Sequence, residues 1–188
     1  MVLLVFYNVP MKNIIFAFGF LFIFQNSFSQ EKLGRPFITG DVNFTLGINE
    51  NYTISNGDGE TFLVPSALFF RVGFGYEFKR KLAIGFNVGY DYHWNYAVSA
   101  FPTYGSLKYN ITEFEEDAHF IEVRYGKMWT PSSKYPDGNY FGVGLGIQFA
   151  GEKRWNTIVR LDYHRKGIVG FENNRLDSVS FGLGFLFF

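Results

Sequence analysis

The chain has 188 residues, enough for one domain, and its 17 Lys and Arg balance 17 Asp and Glu. That balance argues against nucleic acid or an acidic partner, and the absence of cysteine excludes disulfides and thiolate metal sites. What stands out is 21% aromatic residues, with 25 Phe and 12 Tyr, beside 21 Gly. Such a pairing suits a wall of alternating aromatic and glycine residues better than an ordinary core.

Residues 11–30 read MKNIIFAFGFLFIFQNSFSQ. Lys12, the apolar run from Ile14 to Phe24 and the small residues before Gln30 match the three parts of a secretory signal. The run is about half the ~20 residues that a spanning helix needs. We therefore expect a signal peptide over 1–29, translated from Met11 rather than Met1, a polar leader over 30–36, and a folded domain over 37–188.

The first strand is expected from Phe37 to Asn49, with Ile38, Val42, Phe44, Leu46 and Ile48 on one face and Thr39, Asp41, Asn43 and Thr45 on the other. Asn49 to Thr61 is polar and rich in Gly and Asn, so it reads as a loop. From Ser66 to Asn95 the alternation is strict. Leu68, Phe70, Val72, Phe74, Tyr76 and Phe78 oppose Phe69, Arg71, Gly73, Gly75 and Glu77. After Lys79-Arg80-Lys81, Leu82, Ile84, Phe86, Val88, Tyr90, Tyr92 and Trp94 oppose Ala83, Gly85, Asn87, Gly89, Asp91 and His93. Period two across a three-residue link predicts a hairpin.

Ala97 to Tyr104, marked by Phe101-Pro102, reads as a second loop, and Gly105 to Phe114 as a fourth strand with Lys108, Asn110 and Thr112 opposite Leu107, Tyr109 and Ile111. Glu115-Glu116-Asp117 turns the chain. A fifth strand to Trp129 sets Glu122, Arg124 and Gly126 against Ile121, Val123, Tyr125 and Trp129. Pro131 to Gly138 reads as a loop. Asn139 to Ala150 pairs Phe141, Val143, Leu145, Ile147 and Phe149 with Gly142, Gly144, Gly146 and Gln148. Past the turn Gly151–Arg154, a seventh strand pairs Trp155, Thr157, Val159, Leu161 and Tyr163 with Asn156, Arg160, Asp162 and His164. Arg165 to Asp177 is the last expected loop, and the eighth strand sets Val179, Phe181, Leu183, Phe185 and Phe187 against Ser178, Ser180, Gly182 and Gly184.

The bulky face must look outward. An eight-stranded barrel has an interior only just wide enough for side chains, so rows of aromatics suit its outside and small or charged residues its inside. Only lipid welcomes such an outside. The even strand count, the strand lengths and the alternation of short and long connections agree on one all-β architecture: a single eight-stranded antiparallel up-and-down transmembrane barrel.

With its signal, its alternating strands and the terminal SVSFGLGFLFF, the chain resembles the small eight-stranded outer-membrane barrels of Gram-negative bacteria, of the OmpX and OmpA-barrel type. The resemblance implies export to the outer membrane, contact with its lipid and lipopolysaccharide, and recognition of the last strand by the barrel assembly machinery. Phe181, Leu183, Phe185, Phe187 and Phe188 are the residues it singles out, the alternation ending at Phe187 with Phe188 one beyond. It also implies roles in adhesion or envelope integrity, fulfilled through external loops whose ligand the residues do not identify.

The inward face gathers Asp41, Glu77, Asp91, Glu122 and Asp162 with Arg71, Lys108, Arg124 and Arg160, plus His93 and His164. In a narrow lumen these must pair, because an unpaired buried charge is costly, so they read as a structural ion-pair network. A gated pore is the alternative use. Some barrels of this resemblance act on lipid A, and would show a His with a nearby Ser and a Glu further on. Here His164 and Glu172 match, but Arg165 and Lys166 stand where the nucleophile is needed, so no catalytic site is expected. His93, His119 and His164 lack metal spacing, and neither metal nor cofactor is expected. A secretion-apparatus component and a soluble lipocalin-like binder are the remaining alternatives.

Overall fold

The computed structural model describes residues 34–48, 62–95, 97–114, 117–130, 136–151, 154–169 and 174–188. The expected signal, Met11, the leader up to residue 33, the 49–61 loop, Glu115, Glu116 and Glu172 lie outside the described residues. Eight strands follow one another as β1 (Gly34–Ile48), β2 (Leu63–Phe78), β3 (Leu82–His93), β4 (Val98–Phe114), β5 (Asp117–Trp129), β6 (Gly138–Ala150), β7 (Trp155–Gly167) and β8 (Arg175–Phe187). Each pairs antiparallel with the next, and β1 closes on β8 from Ile38↔Phe187 to Gly47↔Ser178. Closure leaves no strand edge unpaired, which is what a sheet in hydrocarbon requires.

The alternation read from the sequence is the alternation of the wall. Ile38, Phe74, Ile84, Leu107, Leu145, Leu161 and Leu183 are exposed on the outside, while Asn43, Arg71, Asp91, Arg124 and Asp162 are buried inside. All three tryptophans face out, Trp94 and Trp129 near one end and Trp155 near the other. With Tyr90, Tyr92, Tyr125 and Tyr163 at the first end and Tyr76 and Tyr109 at the second, they form the two aromatic girdles that flank an apolar belt at membrane interfaces.

The two ends differ. One, the turn end, carries both described termini and the connections β2–β3, β4–β5 and β6–β7; the other, the loop end, carries the remaining four. The Lys79-Arg80 link is a primed turn, with φ 47° and 57°, closed by the Lys81 N–H donating to the Phe78 carbonyl at 2.9 Å. Its twist matches that of the flanking strands, which explains why three basic residues suffice to reverse the chain.

Several boundaries differ from the sequence expectation. β1 starts at Gly34 because Arg35 and Pro36 pair with Glu77 and Tyr76, so the end of the expected leader belongs to the barrel. β2 starts at Leu63 and carries Pro65 past a shift in register at Thr45/Leu46. The Ala97–Tyr104 loop is instead the first half of β4. Phe101, Pro102 and Thr103 pair with Trp129, Met128 and Lys127 on β5, whereas on the β3 side the pairs at Gly89/Pro102 and Tyr90/Phe101 are missing. Proline lacks an N–H, so it is tolerated in a strand where one ladder is interrupted. The chain therefore turns within residues 94–97, and this loop-end connection is as tight as those of the other end. Likewise the Arg165–Asp177 loop shrinks to residues 168–174, since Arg165, Lys166 and Gly167 pair with Asp177, Leu176 and Arg175. Thr112, expected inside, is exposed: a bulge between Asn110 and Thr112 turns it out, and its hydroxyl bonds His119 Nδ1 at 3.0 Å.

A charge in the mid-belt should be costly. Val72→Arg is expected to lower the stability of the barrel in vesicles by about 2–4 kcal/mol, read from urea refolding, with little effect from Lys79→Ala outside the belt.

Candidate functional site in the barrel lumen

Every charged residue and histidine assigned to the lumen from sequence is buried there: Asp41, Arg71, Glu77, Asp91, His93, Lys108, Glu122, Arg124, Arg160, Asp162 and His164. The strands bring them together in three groups. At mid-height Arg124 bridges Glu122 (Nε–Oε1, 3.1 Å) and Asp162 (Nη2–Oδ1, 3.0 Å). Arg160 closes the ring, donating from Nη2 to Glu122 Oε2 at 2.6 Å and placing Nε 2.9 Å from Asp162 Oδ2. Asp41 lies beyond it, 3.9 Å from Arg160 Nη1, and accepts a hydrogen bond from Asn43. Two guanidiniums thus stand between three carboxylates, and the Arg160 Nε–Asp162 Oδ2 approach is an ion pair without hydrogen-bond alignment.

Glycine makes room for this ring. Gly144 faces the lumen between Glu122 on β5 and Asp162 on β7, and a β-carbon there would collide with the Asp162 carboxylate. The inward glycines of β6 are thus the space that large charged side chains of the adjacent strands fill.

Toward the loop end, Arg71 hydrogen-bonds Asp91, and Lys166 Nζ lies 2.5 Å from Asp91 Oδ2 and 2.7 Å from His93 Nε2. Lys166 carries only donors, so His93 Nε2 accepts. The Phe69 ring is the centre of this group. Lys166 Nζ sits 3.8 Å from its centroid, and His93 and His164 both meet it edge-on at 5.3 Å. His164 is held from both sides, by Tyr140 OH at 2.8 Å on Nδ1 and by Ser180 Oγ at 2.7 Å on Nε2.

Lys166 is the residue the sequence reading missed. It falls within the expected Arg165–Asp177 loop, yet it is fully buried on β7 and supplies the fifth base to set against five acids. The signal was available: the period-two series Asn156, Ile158, Arg160, Asp162, His164 continues to Lys166.

Toward the turn end, Glu77 accepts from Arg35 Nε at 3.0 Å and lies 3.9 Å from Lys108 Nζ, which also donates to Gln148 Oε1 at 2.7 Å.

The lumen is not polar throughout, and inward aromatics go beyond the Phe69 that the alternation places there. Ala100, Tyr104, Met128, Tyr140, Ile168 and Leu176 form an apolar cluster across the loop end. Phe37, Ala83, Phe120, Ile158 and Leu186 form another across the turn end, with Phe188 packed against it. Phe188 lies past the strand and under the Arg35 guanidinium, 3.1 Å from its ring centroid, whereas Phe187 is exposed on the outer wall opposite Trp155 and Ile38. Small inward neighbours such as Gly146, whose β-carbon would strike the Phe120 ring, let these rings fit a narrow interior.

No protein-family model matches the chain, and no curated protein matches it. Its likeness is to solved structures. Neisserial surface protein A superposes with a TM-score of 0.63 over 82% of this chain and 97% of that one, at 10% sequence identity. The outer membrane protein AlkL superposes with a TM-score of 0.50 over 85% and 92%, at 16% identity. The fold is that of a small outer-membrane β-barrel. At such low identity the shared property is the fold alone, a closed eight-stranded sheet.

The charged groups should not contribute equally. Lys166→Ala leaves buried Asp91 short of one partner and is expected to cost about 3–5 kcal/mol in urea unfolding. Arg165→Ala, at the solvent-screened pair with Asp177, should cost far less in the same measurement.

Proposed function

We propose that this protein is an outer-membrane barrel of structural or surface-interaction type, acting through its external loops in envelope integrity or adhesion, with a sealed lumen and no catalysis. The observation that carries this reading is the double closure of the lumen. An apolar cluster stands toward each end, and between and beside them five acids (Asp41, Glu77, Asp91, Glu122 and Asp162) meet five bases (Arg71, Lys108, Arg124, Arg160 and Lys166). A through-pore needs a continuous polar path, and charges held by ion-pair partners do not move with a permeating ion.

The same geometry weighs against lipid chemistry. The serine that touches His164 is Ser180, and both are buried inside the wall, whereas acyl chains lie outside it. An acyl ester would have to cross the sheet to meet the hydroxyl, so the pair supports a structural role. Lipopolysaccharide and the assembly machinery remain the partners this reading calls for, the latter through the outward row Phe181, Leu183, Phe185 and Phe187.

In planar bilayers the purified barrel is expected to show no long-lived conductance. Shortening Tyr104, Met128 and Tyr140 together to Ala should open only brief, small events, because the ion-pair layer persists below them. Stable conductance from the unaltered protein would overturn the sealed-lumen reading. For the catalytic alternative, Ser180→Ala and His164→Ala should leave the acyl pattern of lipid A in expressing cells unchanged, and a pattern that depends on either residue would restore that alternative.

A further inference from the structure

The turn-end rim carries a charge cluster that the turn itself does not call for. Lys79, Arg80 and Lys81 are all exposed where β2 reverses into β3. Lys79 and Arg80 are both in the left-handed region, at φ 47° and 57°. Those positions favour Asn-Gly or Gly-Gly, because a β-carbon there crowds the backbone. Two long cationic side chains are thus kept against the backbone preference, so turn chemistry does not explain them. The tip is also fixed in place. Asn110, buried on β4, donates from its side chain to the Arg80 carbonyl and from its N–H to the Lys81 carbonyl at 2.8 Å.

These cations are not spent on carboxylates of the barrel. The described ion pairs of this end join Arg35 and Lys108 to Glu77, and none of them takes up Lys79, Arg80 or Lys81. At the loop end, by contrast, Arg165 and Arg175 share Asp177. The aromatic girdle sets the height of the cluster. Tyr76 and Phe78 lead into the turn and Tyr109 flanks it, all exposed on the outer face, with Lys81 Nζ 5.9 Å from the Tyr109 ring. Girdle rings lie at the membrane interface, so cations just beyond them stand among the lipid headgroups. The abundant anion at that level is the lipid phosphodiester, and adjacent cations favour a headgroup of net negative charge over a zwitterionic one. We propose that the Lys79-Arg80-Lys81 turn is a binding site for the phosphodiester of an anionic phospholipid in the turn-end leaflet. The site rests on the membrane-barrel reading and adds to it a headgroup preference at one sector of the rim.

The test uses the full barrel in phosphatidylcholine vesicles that contain a trace of labelled lipid. The label is phosphatidylglycerol, or phosphatidylcholine, with the same photoreactive group at the head of one acyl chain, and labelled peptides are mapped. The phosphatidylglycerol label is expected to mark the peptides holding Tyr76 to Leu82 and Tyr109 about tenfold more than the phosphatidylcholine label. That excess should vanish in about 1 M salt, where charges are screened within about 3 Å. Lys79→Asn with Arg80→Gly installs the pair that the turn prefers, so the barrel should resist urea at least as well while the excess falls about fivefold for each cation lost. Lys127→Gln at the loop end should leave the excess unchanged. Equal marking by the two lipids, an excess that survives salt, or an excess retained without Lys79 and Arg80 would each overturn the site. Should the Asn-Gly turn fail to fold, Lys79→Gln with Arg80→Gln decides by the same measurement. Running the samples unboiled on a gel separates the two readings. Retention of the fast-migrating band with equal marking removes only the lipid site, whereas loss of that band from the unaltered protein removes the membrane barrel beneath it.

Discussion

A peptide backbone in hydrocarbon has no water to satisfy its N–H and C=O groups, and every feature of this protein follows from how that demand is met. With strands rather than helices, the sheet has to close on itself, and with eight strands it closes around a space barely wider than two facing side chains. The outside is then free to be apolar at every second residue. The inside becomes a problem of volume and charge.

The volume is solved by pairing glycine with bulk across adjacent strands. Gly144 beside Asp162 and Gly146 beside Phe120 are two cases of one rule: where one strand gives up its side chain, its neighbour reaches into the centre. Charge is solved by mixing both signs within each layer. The Glu122–Arg124–Asp162–Arg160 ring and the Arg71–Asp91–Lys166 group each combine both signs, with apolar clusters packed toward either end. Buried pairs of this kind do not by themselves guarantee stability, since their desolvation offsets much of their attraction. They do fix which residues face one another, and so discriminate against a register slip, which would move every charge into lipid.

The same layering accounts for where the protein can meet the outside world. A lumen filled by its own side chains leaves the loops and the outer wall as the interacting surfaces.

The sequence by itself determined the class of fold and the facing of nearly every strand residue, because the period of a strand is two and a one-residue error would invert the wall. Asp41, Arg71, Asp91, Arg124 and Asp162 were legible as lumen residues for that reason. Strand ends were less legible. Pro102 reads locally as a loop residue, yet it sits in β4 because its neighbours gain a ladder with β5. Lys166 likewise reads as exposed until Asp91, distant in sequence, is brought beside it. Only the tertiary structure decided that the lumen is closed at both ends by apolar clusters and that Phe69 stands at the centre of its loop-end charges. Alternation says which way a side chain points, but what it meets there depends on strands brought together by closure.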